Sequence, residues 1–262
     1  MRDDTIRFDS NEVGFTRSNV NALCSLGDSS KVRSYRTTGH KGIGFKSAFK
    51  VADKVWIKSG HYSFMFDAGQ RLGTLNPIWT RFPDKERKGY TSIRLQFRHK
   101  LDISTLADEL SSLDAKLLLF LRRIKCVKIQ IFKKGAQRIL RCQDVGIDKG
   151  LRQLTLDPGY TSPFLVSSHR TLRLGHDKRR KGWKYSDILI AFPKAPSGQP
   201  LRETQNVYSF LPIRNYGFKV GHLYANLGNT WVSNLGHCSL LFKPISFSLL
   251  AEKTLTARLI GI

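Results

Sequence analysis

Short runs along the chain alternate apolar and polar positions, which is the pattern of half-buried β-strands. The runs DKVWIKSG and HYSFMFDAG alternate on either side of Ser59 and Gly60 and predict a β-hairpin. Tyr90–Phe97 and Val127–Phe132 alternate in the same way, and Ser186–Pro193 is typical of a buried strand. These runs are the predicted strands, and the stretch 133–168 is predicted to be strand and loop.

Two segments change to the spacing of helices. Ser104–Ile124 carries apolar residues at intervals of three or four, which predicts one long helix. A shorter helix is predicted to begin after Thr16 or Ser18, either of which suits the N-cap position, and to end near Gly27.

The stretch TGHKGIGFKSAFKV is a glycine-rich loop that runs into helical spacing. Gly39, Gly42 and Gly44 permit tight turns, and a helix is predicted to start at Gly44. The free amides and dipole of such a helix start, with Lys41 and Lys46 nearby, suit a phosphate group. The alternative is a turn that only connects two elements. Neither the Walker A nor the dinucleotide-binding fingerprint fits the spacing.

The 262 residues are enough for one large domain or two smaller ones, with apolar content typical of globular proteins. The spacing of the cysteines indicates neither a zinc site nor a disulfide framework; they are Cys24, Cys126, Cys142 and Cys238. No run suits a signal peptide or a membrane span of about 18 apolar residues. We therefore expect an intracellular protein, nuclear or cytoplasmic, with no membrane partner.

The formal net charge is +24, from 44 lysines and arginines against 20 acidic residues. Such an excess favours polyanions, namely nucleic acid, nucleotide phosphates or acidic lipid. The densest basic run is DKRRKGWK at Asp177–Lys184, where Trp183 is placed to stack on a base. A solvated loop without a partner is the alternative for this run.

Five motifs occur in a fixed order along the chain. They are N-E-x-G-F at Asn11–Phe15, N-V-x-A-L-C at Asn19–Cys24, G-x-S-S-K at Gly27–Lys31, G-H-K-G-I-G-F-K-S at Gly39–Ser47, and V-Y-S-F-L-P-I-R-N-Y-G-F-K at Val207–Lys219. Together they resemble the ATP-binding module of the sacsin and NO VEIN-like group. That group belongs to the superfamily of gyrases, chaperones, histidine kinases and MutL proteins (GHKL).

The resemblance implies an α+β fold of the Bergerat type. This is a two-layer α/β sandwich whose mixed, mostly antiparallel sheet carries helices on one face, and a smaller β-rich extension follows it. The implied organisation is an ATPase-like domain at 1–135 that lacks its first helix, a family-specific α/β extension at 136–219, and a divergent tail at 220–262.

The resemblance also implies an adenine-nucleotide site. Gly14 would lie beneath the adenine in the family's D-x-G-x-G box, in which Asn11 and Glu12 stand here. Thr91 would match a threonine close to the adenine, although an ordinary strand threonine explains it equally well. The remaining residues implied for nucleotide binding, mostly in the phosphate loop, are Lys31, Gly39, Lys41, Gly42, Ile43, Gly44 and Phe45.

The chain departs from the family pattern in ways that bear on catalysis. The helix with E-x-x-x-N, which supplies the general base and the Mg²⁺ ligand, is not among the ten residues before Asn11. Phosphoryl transfer would then lack water positioning and metal stabilisation, so hydrolysis is not expected and no catalytic or metal-binding residue is assigned. Bound Mg²⁺ stays an open question. The D-x-G-x-G box also lacks its aspartate, because Asp9 lies just outside it.

The predicted function is therefore an ATP-binding module with weak binding and without efficient hydrolysis. One alternative is a basic protein that binds nucleic acid without sequence specificity. Another is an interaction scaffold without a ligand, whose protein partners the sequence does not identify.

Overall fold

The computed structural model describes residues 5–25, 43–98, 102–121, 123–132, 135–145, 151–156, 159–171, 186–199, 201, 206–209, 211–215, 224–227 and 253–260. The chain is mostly β. The strands are β1 Thr5–Ser10, β2 Ala52–Ser59, β3 Tyr62–Asp67, β4 Ile78–Trp79, β5 Thr91–Phe97, β6 Ile124–Ile131, β7 Ala136–Asp144, β8 Leu151–Leu156, β9 Tyr160–Thr171, β10 Ser186–Pro193, β11 Asn206–Ser209, β12 Leu211–Asn215, β13 Tyr224–Leu227 and β14 Lys253–Ile260. The helices are α1 Arg17–Cys24, α2 Ile43–Lys46, α3 Ile103–Ser111 and α4 Leu117–Phe120, and a 3₁₀ turn follows α2 at Ser47–Lys50.

The chain forms two compact units. The first unit comprises Met1–Leu113, Val127–Arg138 and Ser239–Ile262, and the second comprises Asp114–Cys126 and Ile139–Cys238. Residues 220–262, predicted as a tail, contribute β13 to the second unit and β14 to the first.

The sheet of the first unit has the strand order β6-β14-β1-β5-β2-β3-β4. Strand β1 pairs antiparallel with β14 and with β5, and β5 pairs antiparallel with β2. One face of these strands is lined by apolar side chains, and we call it the apolar face. Its fully buried members include Val55, Ile57, Phe64 and Phe66.

The second unit has a sheet of order β12-β11-β13-β10-β9-β8-β7. Its pairs are antiparallel apart from the parallel pair of β11 and β13. The core of this unit is formed by buried side chains of alternate strand positions, among them Leu140, Leu154, Phe164 and Ala191. The predicted strand at Ser186–Pro193 is confirmed as β10.

The predicted fold class is wrong. An α+β sandwich requires a layer of helices over the sheet, whereas the described helices are short and the chain is mostly β. The longest of them, α3, has 9 residues and α1 has 8. Helices of such length gain little stability from their own backbone hydrogen bonds, so the pairing of the strands contributes most of the regular structure.

The long helix predicted at Ser104–Ile124 is also wrong in its second half. Helix α3 ends at Ser111, and α4 is a separate turn that starts at Leu117. The hydroxyls of Ser111 and Ser112 donate to carbonyls of the preceding turn, and the Asp114 carboxylate accepts the amide of Lys116. Such side chains compete with the helical bonding of the backbone, which the leucine spacing does not reveal.

Other predicted elements are confirmed. Helix α1 has Thr16 at its N-cap, where the Thr16 side chain accepts from the Asn19 amide and forms a capping box. The hairpin of β2 and β3 turns at Gly60, which has a positive φ of 56°. The predicted strand at Tyr90–Phe97 is β5.

Candidate functional site

Three neighbouring strands of the first unit place a hydroxyl residue on the apolar face at the same end of the sheet. Strand register puts Ser10 of β1 opposite Thr91 of β5, and Ser59 of β2 lies beside Thr91. The three side chains lie in phase with apolar residues on their strands, for example Ile6 in β1, Ile57 in β2 and Ile93 in β5. We call Ser10, Thr91 and Ser59 the hydroxyl row. Their exposed fractions are 4%, 1% and 0%, so each hydroxyl costs free energy unless it finds a partner.

Ser59 connects the hydroxyl row to the turn that follows β1. The Ser59 Oγ accepts a hydrogen bond from the Phe15 backbone amide at 2.8 Å. It also shares a hydrogen bond of 2.6 Å with the Thr91 Oγ1, in which either oxygen can be the donor. Thr91 is thereby joined to the N-E-x-G-F motif through one intermediate side chain.

Gly14 holds a backbone conformation that favours glycine. Its φ is 91°, and a β-carbon placed there would lie 3.4 Å from the Ser59 Oγ. The residue before it, Val13, is 70% exposed. The turn therefore lies against the hydroxyl row on one side and reaches the surface on the other.

Asn11 and Glu12 open this turn directly after β1. Asn11 is half-buried and Glu12 is buried, with 6% of its surface exposed. Both residues take part in interactions within the protein. The residues predicted for the adenine side of the site, Asn11, Glu12, Gly14 and Thr91, are thus brought together at one end of the sheet.

The phosphate-loop residues fall in two groups. Lys31, Gly39, Lys41 and Gly42 lie outside the described residues. Ile43, Gly44 and Phe45 form the start of α2, one residue earlier than the predicted helix start at Gly44. The Phe45 ring lies 5.6 Å from the Phe66 ring of β3, measured between centroids. Phe45 thus packs onto the apolar face.

Lys46 points inward. Its Nζ donates to the carbonyls of Leu23 and Thr74, and it lies 5.2 Å from the centroid of the Phe66 ring. Burial lowers the pKa of Lys46, and the nearby Cys24 partly opposes that shift. Because both carbonyls hold this ammonium group, Lys46 connects the end of α1 with the loop before β4. It does not take the role beside a phosphate that the sequence suggested.

The opposite face of the same strands carries a buried ion pair. Arg7 Nε donates to Asp9 Oδ1 at 2.8 Å, and both side chains are buried. Ser92 Oγ donates to the same oxygen at 2.6 Å, and Arg7 Nη1 donates to the Lys85 carbonyl at 2.9 Å. Asp84 lies beside the pair, with its Oδ2 3.7 Å from Arg7 Nη1. We call this the ionic face.

This arrangement decides whether Asp9 replaces the aspartate missing from the D-x-G-x-G box. Side chains alternate between the faces of a strand, and cross-strand partners share a face. Asp9 is opposite Ser92, whereas Thr91 is opposite Ser10. Asp9 and Thr91 therefore lie on different faces, and Asp9 belongs to the ion pair with Arg7.

Within the described ranges, no group of three or more His, Cys, Asp or Glu side chains is placed to hold a metal ion. The cysteines described there, Cys24, Cys126 and Cys142, are free thiols. Burial raises the pKa of the Cys24 and Cys142 thiols. Among the helices of this part of the chain, none is long and apolar enough to cross a membrane.

No model of a known protein family matches the chain. The chain is similar to Protein NO VEIN of Arabidopsis thaliana, with 28% identity over 233 residues. The match covers 80% of this chain and 8% of the relative, so the chain corresponds to a small part of a much longer protein. This distant similarity supports the NO VEIN-like resemblance. The GHKL assignment and ATP binding stay predictions.

Sequence reasoning missed Ser59, Ser92 and Arg7. A signal for Ser59 is present, because it continues the buried phase of Val55 and Ile57 at a position where an apolar residue is expected. Ser10 and Thr91 continue their strands in the same way. A Ser or Thr that stands at the end of a strand, at a position where the alternation calls for a buried apolar residue, is thus a usable sequence signal for a buried hydroxyl. The pairing of Arg7 with Asp9 follows their spacing of two along one strand, which places both on one face.

Proposed function

We propose that the first unit is an adenine-nucleotide-binding module. The observation that carries this proposal is the link from Thr91 through Ser59 to the turn of Gly14 and Phe15. Buried hydroxyls beside a surface-reaching turn supply the few convergent polar groups that small-molecule sites use on apolar walls. The similarity to NO VEIN and the ordered motifs support the same assignment.

We expect the chain to bind ATP weakly and to release little phosphate. The ten residues before Asn11 in the 262-residue sequence contain no E-x-x-x-N motif. The expectation of little phosphate release therefore applies to this 262-residue chain tested by itself.

The test is a titration of the 262-residue chain with a fluorescent adenine nucleotide, paired with a phosphate-release assay. Thr91→Val removes one hydroxyl at nearly constant volume and should weaken binding about tenfold, as expected for one buried hydrogen bond. The matched control is Ser92→Ala, on the same strand but on the ionic face, which should leave the affinity unchanged. Equal affinity in Thr91→Val and in the unaltered chain would exclude this site.

A second candidate function, binding of nucleic acid, is favoured by the loop between β4 and β5. Its acidic residues pair with cations of the strands: Asp84 pairs with Arg94 at 3.1 Å, and Glu86 pairs with Lys58 at 3.4 Å. Three cations of the loop are exposed and form no ion pair within the described part of the chain; they are Arg81, Lys85 and Lys88. A loop whose acids pair with cations of the strands, while three of its own cations stay unpaired among the described residues, presents a surface suited to phosphates.

Salt dependence tests this second function. Each phosphate contact contributes about 0.9 to the slope of log affinity against log salt concentration on duplex DNA. Changing Arg81, Lys85 and Lys88 to Gln should reduce that slope. The control changes the paired cations Lys54, Lys58 and Arg98 to Gln, which removes the same formal charge. An equal change of slope in both triple variants would mean that only the overall charge of +24 matters. This test does not involve the predicted basic run at Asp177–Lys184, which lies outside the described residues.

A further inference from the structure

An aromatic cluster lies at the β4 edge of the first unit's sheet. The ring centroids of Tyr62 and Trp79 are 6.4 Å apart, and those of His61 and Tyr62 are 4.0 Å apart. Trp79 is 61% exposed, His61 is exposed and Tyr62 is half-buried. We call His61, Tyr62 and Trp79 the aromatic platform. Single exposed apolar side chains are ordinary on a protein surface, whereas a contiguous group of them often marks a binding site.

The fold holds the most exposed ring of the platform in place. Strand register puts Trp79 opposite Phe64, and their ring centroids are 5.4 Å apart in an edge-to-face arrangement. Phe64 is buried, so it supports the indole from the side of the core. Directly after Trp79, the Thr80 amide donates to the Ser63 carbonyl at 3.3 Å, and the Ser63 hydroxyl donates to the Thr80 carbonyl at 2.7 Å. Because the ring is positioned before a ligand arrives, binding costs little conformational freedom.

The charges around the platform favour an anionic ligand over a neutral one. The two segments that build it, 59–64 and 76–83, contain no Asp or Glu. Arg81 is exposed and stands two residues after Trp79, so their α-carbons are at most about 7 Å apart. The net charge of +24 over the whole chain acts in the same direction. A ligand that suits this edge therefore combines flat rings with negative charge.

We propose that the aromatic platform binds single-stranded nucleic acid, with unpaired bases stacked on Trp79 and its neighbours and with Arg81 against the phosphate backbone. This assignment rests on the second candidate function and deepens it, because it names single strands as the preferred ligand. Bases of a duplex are stacked on one another, whereas bases of a single strand are free to stack on aromatic side chains. Proline-rich peptides also dock on aromatic grooves, but they bring no phosphate to Arg81.

The experiment measures the affinity of the chain for a fluorescently labelled single-stranded oligonucleotide and for a strand of the same length that lacks its bases. The unaltered chain should bind the strand with bases about tenfold more tightly, since stacking of a single base has roughly that effect. Trp79→Ala should remove most of this preference, and Trp79→Phe should keep part of it. Arg81→Gln should weaken binding of both strands alike, because both carry the phosphates. Tyr160→Ala is the matched control, because Tyr160 is 63% exposed in the second unit, and it should keep the preference.

Thermal unfolding separates this role from a general loss of structure. If Trp79→Ala does not fold, Trp79→Leu keeps an apolar contact with Phe64 but has no aromatic face, and it should lose the preference as well. A folded Trp79 variant of either kind that keeps the full preference would overturn the inference.

The remaining outcomes separate this inference from the second candidate function. If the unaltered chain binds both strands equally, the inference fails alone and binding through phosphate contacts stands. If it binds neither strand nor a duplex, the second candidate function fails and the inference fails with it. Binding of a proline-rich peptide that depends on Trp79, without binding of the oligonucleotide, would assign the platform to a peptide instead.

Discussion

The two faces of the first unit's sheet bury polar groups in opposite ways. On the ionic face, Arg7 donates to Asp9, Ser92 and the Lys85 carbonyl, so the buried charge is balanced inside the protein. On the apolar face, Ser59 and Thr91 share one hydrogen bond and keep one proton unused among the described residues. Both arrangements lie at the same end of β1 and β5.

The difference separates a structural network from a candidate ligand site. On the ionic face Arg7 neutralises Asp9, although Asp9 Oδ2 is buried without a hydrogen bond among the described residues, and breaking the pair leaves a buried charge uncompensated. The hydroxyl row carries no charge, so altering it should cost less stability than breaking the ion pair, about 1 to 3 kcal/mol for a buried partner left without its hydrogen bond. Changes on the ionic face should therefore affect mainly the free energy of unfolding, and changes in the hydroxyl row mainly nucleotide affinity.

The largest expected effect comes from Arg7→Met. Removal of the guanidinium leaves the carboxylate of Asp9 buried without its cation, which should lower the free energy of unfolding by about 3 to 5 kcal/mol. Urea unfolding followed by tryptophan fluorescence measures this loss. Arg98→Met breaks the pair of Arg98 with Asp53, whose side chains are 48% and 55% exposed. This control should cost no more than about 1 kcal/mol.

Arg7→Met should leave nucleotide affinity unchanged in the fraction that stays folded. Arg7→Met with Asp9→Leu should recover part of the lost stability, because it removes the uncompensated charge together with its partner. A loss of affinity in the folded Arg7→Met protein would show that the two faces are coupled and would contradict the separation of roles.

A smaller effect is expected from Gly14→Ala, which tests the turn beside the hydroxyl row. At a φ of 91° an alanine is strained, and its β-carbon would lie 3.4 Å from the Ser59 Oγ. We expect a loss of roughly 1 to 2 kcal/mol in the free energy of unfolding, together with weaker nucleotide binding. Gly60→Ala is the matched control, because Gly60 has a φ of 56° and no neighbour within 4 Å of the added carbon. Similar losses of affinity in both variants would mean that the contact with Ser59 has no special role.

Local patterns predicted the elements near the site better than the fold class. The hairpin of β2 and β3, the strand β5 and the Thr16 cap follow from alternation and capping chemistry, which act within a few residues. Strands β13 and β14 were missed, because the sequence after Lys219 shows no clear period. The pairing of β14 with β1 joins residues from opposite ends of the chain, which no local pattern encodes.

The placement of the candidate site residues could be compared with the sequence only in part, for a similar reason. Gly14 and Thr91 were found by resemblance to a family motif, and the structure places them together. Ser59 was missed because its importance depends on which strand lies beside β5. The role of Lys46 was mistaken because its position in a glycine-rich stretch suggested a phosphate contact, whereas its ammonium group meets carbonyls of Leu23 and Thr74. Side-chain direction in a short helix depends on tertiary contacts that spacing alone does not give.

The smallest expected effect concerns Lys46, the half-buried cation beside the apolar face. Unlike Arg7, Lys46 is held by two carbonyls and an aromatic ring, and burial lowers its pKa from the ordinary value of 10.5. Between the lowered pKa and 10.5, the unfolded chain binds more protons at this residue than the folded chain does. The contribution of Lys46 to stability should therefore rise as pH rises through this window and should level off above it.

Lys46→Met removes this titration, so the unfolding free energy of the unaltered chain minus that of the variant should increase with pH across the same window. Groups that do not interact with Lys46 cancel in the difference, and Cys24, whose thiol does interact with it, is replaced by Ser in both proteins. Lys50→Met, which removes an exposed lysine at the end of the adjoining 3₁₀ turn, is the control for the loss of one surface charge. A difference for Lys46→Met that falls with rising pH would mean that the ammonium form is favoured by the two carbonyls and the Phe66 ring. The half-buried Lys46 would then resemble the buried Arg7 in having its charge stabilised by its surroundings, and the contrast between the two faces would be confined to the hydroxyl row.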